Sequence, residues 1–190
     1  MLDPRKLWSP VEVRSEMAAS PSEVFDVLAE PRTYPEWLVG AKKIRDVDAD
    51  FPAKGSEFDH TVGAGPVSID DSTEVVEVHR PDRLKLRVKA GHFNGEVEFL
   101  LLASPKGTEV RFRERPIGPP AALTPFLRPS LQARNGESLK QLKELVEAKA
   151  SPAADITEQA AAKGEVEPKA AAKPKPKPEP KGKGEPKAVA

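Results

Sequence analysis

The sequence has no cysteine, and that absence removes disulfide scaffolds, thiolate zinc sites, thiol nucleophiles and iron–sulfur clusters from consideration. Histidine is almost as scarce. His60, His79 and His92 are scattered, without the spacing of a metal-binding pair, so neither a metal nor a cofactor is expected. No apolar run approaches the ~20 residues needed to span a bilayer. Residues Met1 to Trp8 lack the apolar stretch and small-residue cleavage site of a secretory signal, so the expected location is the cytoplasm. Nor is there a Gly-x-Ser-x-Gly nucleophile elbow, and Gly63-Ala64-Gly65-Pro66 lacks the Lys-Ser/Thr of a phosphate loop.

Aromatic residues make up only 5% of the chain, and every one of them precedes position 150. Lys+Arg and Asp+Glu balance at 30 each, but the balance hides two different regions. From position 151 onward the chain is rich in lysine, proline and alanine, with Ile156, Val166 and Val189 as its large apolar residues. Such a segment cannot bury enough apolar surface to offset the entropy of ordering it. The expected organisation is an extension over 1–8, one folded domain over 9–149 and a disordered tail over 150–190.

Within the domain, Val11 and Val13 alternate with Glu12 and Arg14 as a short strand. Ser20-Pro21-Ser22-Glu23 then carries the strongest local signal. Ser20 is placed to cap a helix, Pro21 to occupy its first position and Glu23 to complete a capping box. A second helical piece is expected over 31–39, stopping at Gly40. From Lys42 to Arg115 the apolar period becomes two, punctuated by turns, which implies a meander of six antiparallel strands. The fourth strand of the whole chain, over 67–78, is expected to bulge near Asp70-Asp71. A long helix then starts near Thr124-Pro125 and runs to Lys149, with Pro129 expected to kink or restart it. Its apolar stripe reads Leu127, Leu131, Ser138, Leu142 and Leu145, with Leu139 and Val146 beside it. Gly136 inside this helix costs about 1 kcal/mol against alanine, a cost that close packing or space for a ligand would explain.

The order strand, two short helices, six strands and a long helix, with Ala19-Ser20-Pro21-Ser22-Glu23-Val24-Phe25-Asp26-Val27-Leu28, Tyr34-Pro35-Glu36-Trp37 and Asn135-Gly136-Glu137-Ser138-Leu139-Lys140-Gln141-Leu142-Lys143, resembles the START-like SRPBCC superfamily, in particular its polyketide cyclase/dehydrase-like branch. The resemblance implies an α+β helix-grip fold: a curved antiparallel sheet wrapped around the long C-terminal helix, enclosing an apolar cavity. It implies binding or transport of a small hydrophobic ligand, such as a lipid, a polyketide-like compound or an aromatic molecule. The alternatives are a cyclase or dehydratase acting in that cavity, and a scaffold whose tail recruits an acidic partner or nucleic acid. No established catalytic set can be carried over residue by residue.

Strand phase supplies the candidate lining. Leu86, Phe99 and Phe112 belong to matching apolar rows, Leu131 faces them from the helix, and Trp37 and Phe58 suit an entrance, or else ordinary core packing. Two polar residues share the inward phase: His60 with Phe58, and Glu114 with Phe112. They are candidates to orient a polar ligand group or to act as acid and base; the plainer reading places both at strand ends near the cavity mouth. On the other face, Glu96 and Glu98 run between the basic rows Lys85/Arg87/Lys89 and Arg111/Arg113/Arg115, which reads as cross-strand pairing, with a polyanion site as the alternative. Asp70-Asp71 with Glu74 reads as solvated turn charge rather than a cation site. The lysine- and proline-rich tail has no arginine or aromatic residue for stacking, so a stiff solubilising spacer is favoured over nonspecific nucleic-acid contact.

Overall fold

The computed structural model describes residues 9–63, 65–90, 93–118 and 124–162. His92 and the tail beyond Ala162 lie outside the described residues. The chain forms β1 (Val11–Met17), α1 (Pro21–Leu28), a 3-10 turn (Pro31–Thr33), α2 (Tyr34–Trp37), six further strands and α3 (Thr124–Ala162). The strands are β2 (Ala41–Val47), β3 (Glu57–Val62), β4 (Ile69–His79), β5 (Arg83–Ala90), β6 (Phe93–Ser104) and β7 (Gly107–Ile117). They make one seven-stranded sheet in the order β1-β7-β6-β5-β4-β3-β2, antiparallel at every step. This is the expected α+β helix-grip architecture.

Local chemistry explains the entry into the grip. The Ser20 hydroxyl accepts from the Glu23 backbone N–H at 3.3 Å, and the Glu23 carboxylate accepts from the Ser20 N–H at 2.7 Å. Hydrogen bonds from the Ser20 side chain and backbone N–H to the Glu23 carboxylate hold its carboxyl below the ordinary range. The expected second helix proves to be two pieces, the 3-10 turn and the single turn of α2. Buried hydroxyls fix the bend between them and α1: Tyr34 donates to the Leu28 carbonyl at 2.8 Å and Thr33 to the Glu30 carbonyl at 2.8 Å. Tyr34 is fully enclosed, and burial pushes its phenol well above its ordinary pKa.

Four sequence expectations are corrected. The bulge in β4 lies between Val75 and Glu77, not at Asp70-Asp71. Helix α3 runs unbroken through Pro129, which falls only five residues after its start, and it continues to Ala162 rather than ending at 149. Alanine-rich sequence after Lys149 has the propensity to extend a helix already nucleated. The apolar stripe is also rotated: Asn135, Ser138, Leu139, Leu142 and Val146 are buried, while Leu145 is half-buried.

The core sits at one end of the grip. Met17, Leu84, Leu101 and Val110 on the sheet meet Val24, Phe25 and Leu28 of α1 and Leu139, Leu142 and Val146 of α3, all buried. Three polar ties hold the helix across the sheet. The Ala18 N–H donates to Glu147 at 2.7 Å, the Val39 N–H donates to the Ser138 hydroxyl at 3.0 Å, and Arg128 donates to the Ser9 carbonyl at 2.9 Å. On the outer face, Glu96 pairs with Lys85 at 3.1 Å and Arg115 at 2.6 Å, and Glu98 with Arg83 at 2.5 Å and Arg113 at 3.3 Å. The acidic strand thus satisfies its basic neighbours by cross-strand pairing.

A cavity with two buried polar clusters

The other end of the grip is hollow. Strand direction places the ends of β3, β5 and β7 and the starts of β4 and β6 along one edge of the sheet, and there the helix no longer fills the concavity. A cavity of about 640 Å³ opens between this edge, the segment 34–41 and the first third of α3. The reason lies in the helix. Its apolar contribution here is Leu127 and Leu131, followed by Arg134, whereas the packed end receives Leu139, Leu142 and Val146. On the sheet side, Gly95 stands in the inward row between Val88 and Pro116 and removes a side chain from the wall.

All eight residues expected to contact a ligand, Trp37, Phe58, His60, Leu86, Phe99, Phe112, Glu114 and Leu131, line this cavity. Trp37 and Phe58 also belong to the core, through an edge-to-face chain in which Tyr34 meets Trp37 at 4.8 Å and Phe58 at 5.2 Å. Phe99 and Phe112 stack at 4.7 Å and form the floor.

The two polar candidates do not come together. They are four strand spacings apart in the sheet order, and each heads its own cluster. Glu114, in phase with Val110 and Phe112 on β7, receives Arg134 as an ion pair and Asn135 Nδ2 at 2.8 Å. Asn135 Oδ1 in turn accepts from Arg134 Nε at 3.2 Å. A carboxylate so neutralised is a structural anchor between sheet and helix rather than a free base.

His60 lies inside β3, not at its end, and is 4% exposed. Its Nε2 is 2.9 Å from the Thr73 hydroxyl and 3.8 Å from Asp71 Oδ2, and its ring leans on Phe58 at 5.2 Å. Burial first, and Arg45 second, push the imidazole down to about 4, so it is neutral near pH 7. Asp71 corrects the reading of a solvated turn. Its side chain is 0% exposed, directly opposite His60 in the register, and burial pushes its carboxyl up to about 6. Arg45 from β2 closes this cluster from outside, donating to the Asp71 carbonyl at 3.1 Å.

Asp71, Thr73, Asn94 and Arg134 also line the cavity, and Asn135 anchors Glu114 beside it, although none of them is among the expected contacts. Among the described residues no group of His, Asp and Glu is arranged to hold a metal ion. None of their helices is long and apolar enough to cross a membrane.

Comparison with known proteins agrees with this geometry. Protein NE0264 from Nitrosomonas europaea is 20% identical with a TM-score of 0.61, the match covering 78% of this chain and 99% of that one. Protein SA2116 from Staphylococcus aureus, of unknown function, is 10% identical with a TM-score of 0.61 over 75% of this chain and 95% of that one. The di-domain ARO/CYC StfQ from the steffimycin biosynthetic pathway is 15% identical with a TM-score of 0.60, over 75% of this chain and 52% of that one. At such identities the likeness establishes the fold alone. No curated protein matches. The family model described as polyketide cyclase / dehydrase and lipid transport matches residues 10–147, from the start of β1 to the last buried turn of α3. That span takes in the whole grip and every residue lining its hollow, and the chain belongs to this family.

Proposed function

We propose that the protein binds and carries a small hydrophobic molecule, of lipid, polyketide-like or aromatic character, in the hollow end of its grip. The observation that carries this reading is the cavity itself: about 640 Å³ with largely apolar walls, within the ~300–1,000 Å³ common for small-molecule sites. A scaffold with a filled interior would not need a glycine in the inward row or a helix that runs short of apolar residues. Trp37, Phe58, Leu86, Phe99, Phe112 and Leu131 are the proposed apolar contacts, with His60 and Glu114 at the polar margins.

A proton-transferring enzyme of the cyclase or dehydratase type is the second reading, and one observation favours it. The Asp71 carboxyl, held up at about 6, lies near the pH range where an acid–base group works best. In that reading Asp71 replaces Glu114 as the working carboxyl, since Glu114 is already engaged. Recruitment of an acidic partner or nucleic acid by residues 150–190 rests on their lysine content alone.

The test uses 1-methylpyrene, an apolar fluorescent probe, titrated into the full chain. Saturable binding is expected. Gly95→Leu, at a position where an added Cβ meets only the Arg115 carbonyl at 3.6 Å, fills the cavity and weakens that binding by about tenfold. Binding that never saturates, or that Gly95→Leu leaves unchanged, removes the proposal.

A further inference from the structure

Buried polar atoms are costly unless hydrogen-bonded, and few in a native interior go without a partner. Among the described residues, two buried side-chain atoms have none: Asp71 Oδ2 and Trp37 Nε1. Both residues line the same cavity. Asp71 Oδ1 is served by the Ser72 N–H at 2.7 Å. Oδ2 is not served, because His60 Nε2 stops at 3.8 Å and is bonded to Thr73 instead. The indole N–H of Trp37 can only donate, and the residue is 0% exposed. Among the residues lining the cavity, one acceptor and one donor are thus unmet.

We infer that Asp71 Oδ2 and Trp37 Nε1 are the two polar contacts of a ligand-recognition subsite, and that the ligand is an uncharged, mainly apolar molecule carrying a hydroxyl and a second oxygen acceptor. The inference rests on the proposed binding of a hydrophobic molecule and specifies its chemistry. The hydroxyl donates to Asp71, and a carbonyl or ether oxygen accepts from Trp37. An anionic ligand is disfavoured beside a carboxylate. A cationic one is disfavoured because Arg45 from β2 and Lys89 from β5 already act on Asp71, and Arg134 lines the cavity.

The experiment compares probes of one shape on the full-length protein by fluorescence titration at pH 7: 1-methylpyrene, 1-hydroxypyrene, 1-pyrenecarboxaldehyde and cationic 1-pyrenemethylamine. The expected result is that 1-hydroxypyrene binds about tenfold tighter than 1-methylpyrene, since a site with an unmet polar atom rejects the analogue lacking its partner. Asp71→Leu brings the two within about twofold, while Trp37→Phe removes the smaller preference for the aldehyde. Equal affinities for hydroxyl and methyl in the native protein overturn the inference and leave apolar binding standing; this comparison needs no variant, so a misfolded Asp71→Leu does not obscure it. Tightest binding of the amine overturns the uncharged assignment. If no probe binds, the inference fails together with the binding role.

Discussion

His60 and Asp71 make a pair whose separate effects on stability oppose each other, and that opposition can be measured. In the fold, burial moves the imidazole from 6.5 down to about 4 and the carboxyl from 3.8 up to about 6. Between pH 4 and 6 the folded pair therefore holds one proton, on Asp71, with His60 neutral. The unfolded pair also holds one proton over that window, on histidine. Stability follows the difference in bound protons, so the native protein shows almost no slope from this pair. Removing one partner exposes the other. In Asp71→Asn, His60 alone remains: the unfolded chain binds its proton up to 6.5 and the fold does not, so stability rises with pH from 4 to 6.5. In His60→Gln, Asp71 alone remains: the fold keeps its proton up to about 6 while the unfolded chain has lost it above 3.8, so stability falls as pH rises through that window. At about 1.4 kcal/mol per pH unit, each arm amounts to about 3 kcal/mol. Asp59 from β3, with Arg45 and Lys89, also faces the pair, and these charges are common to all three proteins. Urea denaturation followed by circular dichroism at pH 4, 5, 6 and 7 supplies the stabilities, and subtracting the native curve cancels the shared groups. Variant curves that run parallel to the native one would refute the burial argument; so would slopes of the same sign in both variants.

Two glycines give a contrasting pair of outcomes in thermal melts. Gly136 lies in the interior of α3, and a Cβ added there meets no heavy atom within 4 Å, so Gly136→Ala is expected to raise stability by about 0.5–1 kcal/mol. At Gly107, in the β6–β7 turn, φ is +122° and an added Cβ lies 2.3 Å from the Met17 carbonyl oxygen. Gly107→Ala is expected to lower stability by about 2 kcal/mol or more. A neutral result at Gly107, or a loss at Gly136, contradicts the respective geometry.

The readable parts of the fold were those set by neighbours in sequence. Ser20, Pro21 and Glu23 encode their cap within four residues, and the alternating rows of β5, β6 and β7 encode which face is wet. His60 was readable for the same reason, being in phase with Phe58. Asp71 was not, and the cause is a single residue of phase. Val75 and Val78 both face β5 residues of the buried row, Leu86 and Leu84, although they are three positions apart. One extra residue must therefore be absorbed somewhere in β4, and the run of valines does not say where. Placing the bulge at Asp70-Asp71 makes the carboxylate an irregular, solvated feature. Placing it after Val75 keeps Asp71 and Thr73 in phase with Val75, and therefore inside. The helix face is ambiguous in a similar way. Taking Leu145 as part of its stripe rotates the face away from Asn135, whereas Leu139, Leu142 and Val146 extrapolate back to it at helical spacing.

Both misplaced polar residues belong to the hollow end, and the common reason is physical. At the packed end, a wrong phase would bury a charge without a partner or leave leucine in water, so the apolar pattern alone determines orientation. At the hollow end the pattern is diluted, because the wall includes Gly63, Gly95, Thr73, His60, Asp71 and Arg134 among its apolar residues. A chain whose interior were completed by its own side chains would keep the period of its strands and helix clear throughout. Here the period fades where Gly95 leaves room and where Asp71 and Trp37 keep polar atoms unmet. The loss of pattern and the cavity are two expressions of one fact: at that end of the grip, the chain's own side chains do not fill the interior.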